Sequence, residues 1–478
     1  MSLDNNEAFF TDPTFEVSSL NDFITECSTC VPTEMRADWE KGMDVDLFAG
    51  SLQLISQKSA KWKYQMARSR YLCLTKLMPT GNDESKPWRL LLLVLAEANF
   101  WLSDLLECKS LLCQLRELHA NDTNLNRIIE LLQEIIESDA ALDEEYHAQK
   151  DFAGTVHYFS TPVNCPEQDV DIPNLRELQG SFEKMQRDNS NAVDEFARYA
   201  CLSSNVIEGV FSLEGSSWPR LVRRGFFVNS IEGISRDSKL KKKTTIIRVL
   251  ENTLEALNKM STSLDDFALF TPEFLMELHR MLLQNDNFVI EEVDEYTVYQ
   301  VIPLGKFRVR ACITEHGEDE DVRVTQFCHP SLICTEMERY CKLARCVLAN
   351  DSIDVFMKTA WLQWAFLRIH PFADGNGRIS RIISSIPLCK LGLPPVVVTM
   401  ACKPVYFAAL HQADTEKNLL PLSAFLRSSI LETITEIASL PTDAVLSAGK
   451  TQARIRITPR VRRGSESSSS SSGKDSPV

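Results

Sequence analysis

Apolar residues recur at steps of three and four along most of this chain, and that spacing constrains the fold class more than any other feature. Leu125, Ile128, Ile129, Leu132, Ile135 and Ile136 share one helical face. Phe356, Ala360, Trp364 and Leu367 form a second such face, and Ile379, Ile382, Ile383 and Ile386 a third. The stretch from Pro87 to His119 is leucine-rich and long enough for a buried helix. Helical patterns dominate from about Leu178 to Leu283 and again from Pro330 to about Ala438. No fixed-period repeat emerges, so a helical solenoid is not expected. One window differs. Tyr296 to Phe327 is rich in Val, Ile, Thr, Tyr and Phe, split by the acidic run Glu315 to Asp321, and predicts a β-hairpin. The expected class is mainly α with a small hairpin.

At 478 residues the chain is too long for one ordinary domain. Its polar, irregular start predicts a segment 1–40 without a core. A helical region is expected over 41–165, ending near Pro162, Pro166 and Pro173. A second helical domain should cover 166–438. The tail 439–478 holds Arg454, Arg456, Arg460, Arg462, Arg463 and a serine run, a composition expected to be disordered. The lysines from Lys239 to Lys243 read as a solvated helix start. Net charge is −15, which argues against a dedicated nucleic-acid binder. The longest apolar run, Leu90 to Ala96, is far short of the ~20 residues that span a bilayer, and no signal peptide is expected. A cytoplasmic location follows as an expectation, with the nucleus left open. The chain has 14 cysteines, expected to be mostly reduced and buried. Cys27 and Cys30 have zinc-ligand spacing but no second pair nearby.

The chemistry is concentrated in His370-Pro-Phe-Ala-Asp-Gly-Asn-Gly-Arg-Ile-Ser-Arg381. A buried helix should run into His370, and Pro371 with the Asp-Gly-Asn-Gly run should break it. Gly375 and Gly377 allow the backbone N–H groups to converge. The loop then opens onto a new helix, whose N-terminus attracts anions. Arg378 and Arg381 stand in its first turns, against the macrodipole, a cost that an anionic ligand would offset. Asp374 is a hard oxygen ligand of the kind Mg²⁺ uses beside phosphates. His370 is a base that works near neutral pH. Together these suit phosphoryl or nucleotidyl transfer. The plain alternative is a glycine-rich turn with a surface histidine.

This segment resembles the Fic family signature His-x-Phe-x-(Asp/Glu)-Gly-Asn-Gly-Arg-x-x-Arg at every fixed position, and the resemblance extends over roughly residues 195–430. It implies an all-helical core with a small β-hairpin flap, preceded here by the N-terminal helical region. It implies transfer of AMP from ATP to a Ser, Thr or Tyr hydroxyl of a protein, with His370 as base and Asp374 holding Mg²⁺. The backbone of Gly375, Asn376 and Gly377 would form the anion hole, and Arg378 and Arg381 would bind the outer phosphates. Phe372 would anchor the loop in the core. By position in the flap, Cys312, Ile313, Thr314 and Glu315 would line the nucleotide. Tyr406 and Phe407 match an aromatic pair near the adenine, whereas Asp414 stands where several relatives have Asn.

Ser204-Asn-Val-Ile-Glu208-Gly209 resembles the family's inhibitory-helix motif. Ser204 and Glu208 are one turn apart on a shared face, so Glu208 could pair with Arg381 and keep it from the γ-phosphate. Glu208 could equally position water for removal of AMP. A decoy, Glu232-Gly233, has Val228 where the hydroxyl residue should be. Ala444 to Thr451 fits a relaxed P-loop, without the strand-to-helix context that motif needs. Rival readings are a Fic-type transferase of another phosphate-containing group and a non-catalytic nucleotide-binding scaffold. The N-terminal region would choose the target or form a homodimer.

Overall fold

The computed structural model describes residues 102–118, 123–149, 173–262, 267–284, 287–293, 296–316 and 323–441, with scattered positions between 67 and 100. The expected segment 1–40, Cys27 and Cys30, the prolines at 162 and 166, the acidic turn past His316, the relaxed P-loop and the basic tail lie outside the described residues. Helices dominate the remainder, and the strands form three two-stranded sheets among the described residues. The described chain divides into two compact units. One draws on the described residues before 150 and on Leu275–Glu338 and Arg368–Asn376, the other on the described residues within 173–274, Arg339–Leu367 and 377–441.

In the first unit, helix α1 (Leu105–Leu118) packs on α2 (Thr123–Gln149). Leu125, Ile129 and Leu132 are buried on α2, which is the face the spacing predicts. They join Cys108, Leu111, Leu112 and Leu115 of α1 in one core. Phe288 and Val301 enter the same core from a hairpin, β3 (Phe288–Val293) with β4 (Tyr296–Val301). This hairpin corrects the sequence reading, which joined Tyr296 to the later strands. Tyr296–Val301 instead pairs with the segment immediately upstream, Val293 opposite Tyr296. The predicted acidic-turn hairpin is shorter, β5 (Ile313–His316) with β6 (Arg323–Gln326), in register Ile313 to Gln326. The backbone N–H of Val301 donates to Leu102 O at 2.9 Å, and Lys306 pairs with Glu107 at 2.9 Å.

In the second unit, α3 (Pro173–Asp188) leads into α4 (Ala192–Ile207). Phe196, Ala197, Tyr199, Ala200, Cys201 and Leu202 are all buried, so α4 has no wet face over this stretch. It packs on α5 (Ser217–Arg224), α6 (Lys243–Thr262) and α13 (Leu420–Ser439). Helix α6 begins at the end of the lysine run, where Lys239, Lys241 and Lys242 are exposed. Arg223 of α5 pairs with Glu195 of α4 and donates to Ile437 O at 2.7 Å and Leu440 O at 2.9 Å. It thereby supplies the cation that a helix C-terminus favours. Strands β1 (Leu213–Glu214) and β2 (Gly233–Ile234) close a minimal ladder inside a region read as helical.

Four further helices are α7 (Pro272–Leu283), α8 (Ile333–Ala349), α9 (Val355–Ile369) and α10 (Asn376–Ser384). They are followed by α11 (Ile386–Lys390) and α12 (Lys403–Thr415). Among the described residues, no helix is long and apolar enough to cross a membrane.

Candidate active site

Helix α9 is apolar almost throughout, and Phe356, Ala360 and Trp364 are buried as their spacing predicts. It stops at Ile369. His370 then takes φ of 51°, a left-handed conformation normally left to Gly or Asn. A strained backbone of this kind costs on the order of 1–3 kcal/mol and needs a surround that dictates it. The surround is Arg308. Its Nε donates to His370 O at 2.7 Å, its guanidinium also reaches Ile369 O at 3.3 Å, and its backbone N–H donates to Pro371 O at 2.8 Å. The His370 imidazole stacks on Phe327, with ring centroids 3.9 Å apart. Phe327 follows β6, and its N–H donates to Cys312 O at 3.1 Å across the hairpin base.

Phe372 is fully buried, as expected of an anchor, and stacks on the His279 ring at 4.0 Å. His279, on α7, accepts the Gly305 N–H at Nδ1 (2.9 Å), so its proton sits on Nε2, 3.1 Å from Asp374 O. Gly375 has φ of 81°, and a Cβ there would lie 3.3 Å from Leu283 Cδ1. Conformation and space both call for glycine. Asn376 closes the loop with its side chain: Oδ1 accepts from Phe372 N at 3.0 Å, and Nδ2 donates to Phe372 O at 2.7 Å. Asp374 is half-buried. Among the described residues no group of three or more His, Cys, Asp or Glu could hold a metal by itself. A single carboxylate is nevertheless the donor set suited to Mg²⁺ that is otherwise held by phosphate oxygens and water.

Helix α10 opens at Asn376, as the loop-to-helix reading predicts. Arg381 is almost wholly buried at 3% exposure and binds α4 through three contacts. Its Nε donates to Ser204 Oγ at 2.9 Å, and its guanidinium donates to Ser204 O at 3.0 Å and Glu208 Oε1 at 2.6 Å. The Glu208 carboxylate also fills the space that a side chain on Gly377 would need. A carboxylate thus lies against the first turn of α10, where free N–H groups favour an anion. Gly209, with φ of 66°, turns the chain out of α4 behind it. Arg378 is buried as well, with its guanidinium 3.4 Å from Asn205 Oδ1 on α4.

Tyr406 is buried beside Arg381 and Glu208, and burial pushes its hydroxyl up to about 12, so it stays neutral. Phe407 is 41% exposed, under Lys403, and is not a core residue. Asp414 accepts the Trp364 indole N–H at 2.7 Å, a structural tie. The decoy Glu232 is engaged elsewhere, by Ser216 and Arg220. Cys312 is half-buried, and burial raises its thiol pKa against a smaller lowering by Arg308. Ile313, Thr314 and Glu315 lie on β5. Arg308, His279 and Phe327 are the site residues that the sequence reading missed. They sit tens of residues upstream of the loop, and nothing in the motif names them.

A family model described as the Fic/DOC family matches residues 269–388. The chain is 34% identical over 76 residues to protein adenylyltransferase fic-1 of Caenorhabditis elegans, covering 16% of this chain and 14% of that protein. It is 46% identical over 55 residues to a Fido domain-containing protein of Dictyostelium discoideum, covering 12% of this chain and 38% of that protein. The matches therefore span well under half the length of these relatives. Among solved structures, a Fic domain containing signaling protein from Bacteroides thetaiotaomicron aligns with 20% identity and a TM-score of 0.42, over 55% of this chain and 96% of that one. Fic-1 from C. elegans aligns with 14% identity and a TM-score of 0.39, over 78% of this chain and 98% of that one.

Proposed function

We propose, from the Fic/DOC domain carried at residues 269–388, that this protein is an adenylyltransferase that moves AMP from ATP onto a hydroxyl side chain of a protein, and that it is restrained by Glu208. The observation that carries the reading is the carboxylate against the start of α10. The protein's own anion rests where the intact loop motif would receive a phosphate.

In this reading His370 takes the proton from a Ser, Thr or Tyr hydroxyl as that oxygen attacks the α-phosphorus, and pyrophosphate leaves. The imidazole is held by its stack on Phe327, and its main chain by Arg308. Gly375, Asn376 and Gly377 turn their N–H groups toward the phosphates, with glycine allowing the close approach. Arg378 and Arg381 bind the outer phosphates through their guanidinium forks. Asp374 is the residue that would hold Mg²⁺, which neutralises phosphate charge when bound. Cys312, Ile313, Thr314 and Glu315 line the nucleotide along the flap, and Tyr406 and the exposed Phe407 flank the adenine.

Glu208 competes for this chemistry. While it pairs with Arg381, that guanidinium is denied to the γ-phosphate, and Ser204 holds the same arginine from the preceding turn. The inhibitory element lies in the same chain, so the restraint is intramolecular. In the reverse direction Glu208 would orient water for AMP removal. The N-terminal helices would select the target or pair two copies.

The test is incubation with labelled ATP and Mg²⁺, with intact-protein mass as readout. Glu208→Gly should gain AMP more readily than the parent chain, and Glu208→Gly combined with His370→Ala should gain it about 10² to 10⁴-fold more slowly than Glu208→Gly alone. Labelling that stays near the Glu208→Gly rate after loss of His370 rejects the mechanism. Equal labelling in parent and Glu208→Gly rejects the restraint. Transfer of a group other than AMP would move the protein to the second reading, a Fic-type transferase of another phosphate-containing group.

A further inference from the structure

We infer that Arg308 is a positioning residue that sets the main-chain geometry of His370 and ties it to the flap hairpin, so that the seating of the flap and the orientation of the base are one property. The inference rests on the adenylyl-transfer reading for its catalytic consequence and on hydrogen bonds alone for its structural content.

A helix end leaves carbonyl groups without partners, and a left-handed residue usually satisfies them through the next N–H groups. Here the residue after Ile369 is left-handed, but the residue after that is Pro371, which has no N–H to give. Arg308 supplies the donors instead. Three successive carbonyls, those of Ile369, His370 and Pro371, accept from this one residue. The carbonyl end of α9 favours a cation there.

The same guanidinium reaches the flap from both sides. Arg308 donates to Arg310 O at 2.7 Å, ahead of β5, and to Cys328 O, just after β6. Both stems of the hairpin and the backbone of the base therefore share one rigid planar fork. Arg308 is buried. A lysine offers a single nitrogen and cannot hold carbonyls on both sides with a fixed angle between them. A shift of the hairpin would move the fork, and the fork would move His370. Phe327, at the end of β6 and stacked on the imidazole, couples the ring to the same hairpin. These bonds run to the main chain of the loop and of the flap. What Arg308 governs is thus the geometry of attack, while the outer phosphates fall to Arg381 and the start of α10.

The test uses the full chain carrying Glu208→Gly, with Arg308→Lys and Arg308→Gln added singly. Nucleotide affinity, catalytic turnover per nucleotide-binding site and amide exchange are read on the same samples. Arg308→Lys should lower turnover per site about 10²-fold, the scale of an ångström-size misplacement, while ATP affinity, to which the flap also contributes, falls far less. Arg308→Lys combined with His370→Ala should be no slower than His370→Ala alone, because the two changes act on one step. Amide exchange should rise together in residues 310–316, 323–328 and 370–376. Unchanged turnover per binding site overturns the inference, as does faster exchange confined to the flap or to the loop alone. If Glu208→Gly does not label at all, it is the adenylyl-transfer reading that fails, and the exchange pattern in both variants still decides the role of Arg308.

Discussion

The loop ending at Asn376 and the helix start beginning at Gly377 adjoin in sequence but are held in opposite ways. The loop is fixed mainly by bonds between main chain and buried side chains: the Arg308 guanidinium on the carbonyls of Ile369 and His370, His279 on Asp374 O, and Asn376 on both polar groups of Phe372, with the Arg308 backbone N–H on Pro371 O. Releasing any of these leaves a buried polar group unpaired, which costs about 1–3 kcal/mol. The helix start is held by an ion pair between side chains. Arg381 is buried, but the Glu208 side chain is 32% exposed and can exchange its partner for water. The base is preset, whereas the arginine is engaged by something that can leave. Under the proposed function, that contrast would leave the loop built while the carboxylate remains removable.

The contrast breaks first at His370. His370→Ala in a Glu208→Gly background should reduce labelling by about 10² to 10⁴-fold, the usual contribution of a general base. Thermal stability should hardly change, since the main-chain bonds from Arg308 remain. A variant that labels at half the parental rate would remove the base from the loop and leave only an anion site.

Next in size is the gain from removing the pair. Glu208→Gly should raise labelling by about 5- to 150-fold, the range of one coupling contact of 1–3 kcal/mol. The gain should vanish when Arg381→Ala is added, because the released arginine is what the nucleotide uses. A gain that persists without Arg381 would mean that Glu208 acts by bulk against Gly377 and not through the arginine.

A smaller effect, on stability, separates the two regions directly. Asn376→Ala should lower the free energy of unfolding in urea by about 1–3 kcal/mol, because the Phe372 N–H and C=O both lose their partner. Glu208→Gly should cost less than this, since Ser204 still holds Arg381 and the carboxylate it loses was partly in water. The reverse ranking would make the helix start the fixed element and the loop the adjustable one.

Much of this contrast is legible in the sequence, but unevenly. Leu125, Ile129, Phe356 and Ile379 announce buried helix faces because helical periodicity is a local property. The loop announces its glycines for the same reason, and Gly375 needs its positive φ. The Glu208–Arg381 pair is reachable because a motif supplies both ends. The β3–β4 hairpin escapes a sequence reading because its first strand is short and its apolar run is interrupted by Glu291 and Glu292. Its pairing shows only when Phe288 and Val301 enter a common core. Arg308 and His279 escape it because their partners are main-chain atoms 62 and 95 positions away. A carbonyl carries no residue identity, so no spacing or motif records which side chain will bind it.

Ser204 offers the finest division within the contact between α4 and Arg381. Its hydroxyl accepts from Arg381 Nε, while its backbone carbonyl accepts from the same guanidinium and survives any substitution. Ser204→Ala therefore removes one of three bonds and leaves Arg381 tied to Glu208. A hydrogen bond to a charged group contributes more than the neutral average, but the other two bonds keep the arginine in place. The net weakening should be about 1 kcal/mol, or roughly fivefold in labelling, at the bottom of the 5- to 150-fold range of Glu208→Gly. If Ser204→Ala matched Glu208→Gly, the hydroxyl and not the carboxylate would be the element that holds Arg381. The distinction between a fixed loop and a releasable helix start would then rest on a buried neutral bond, and solvent access to Glu208 would no longer explain release.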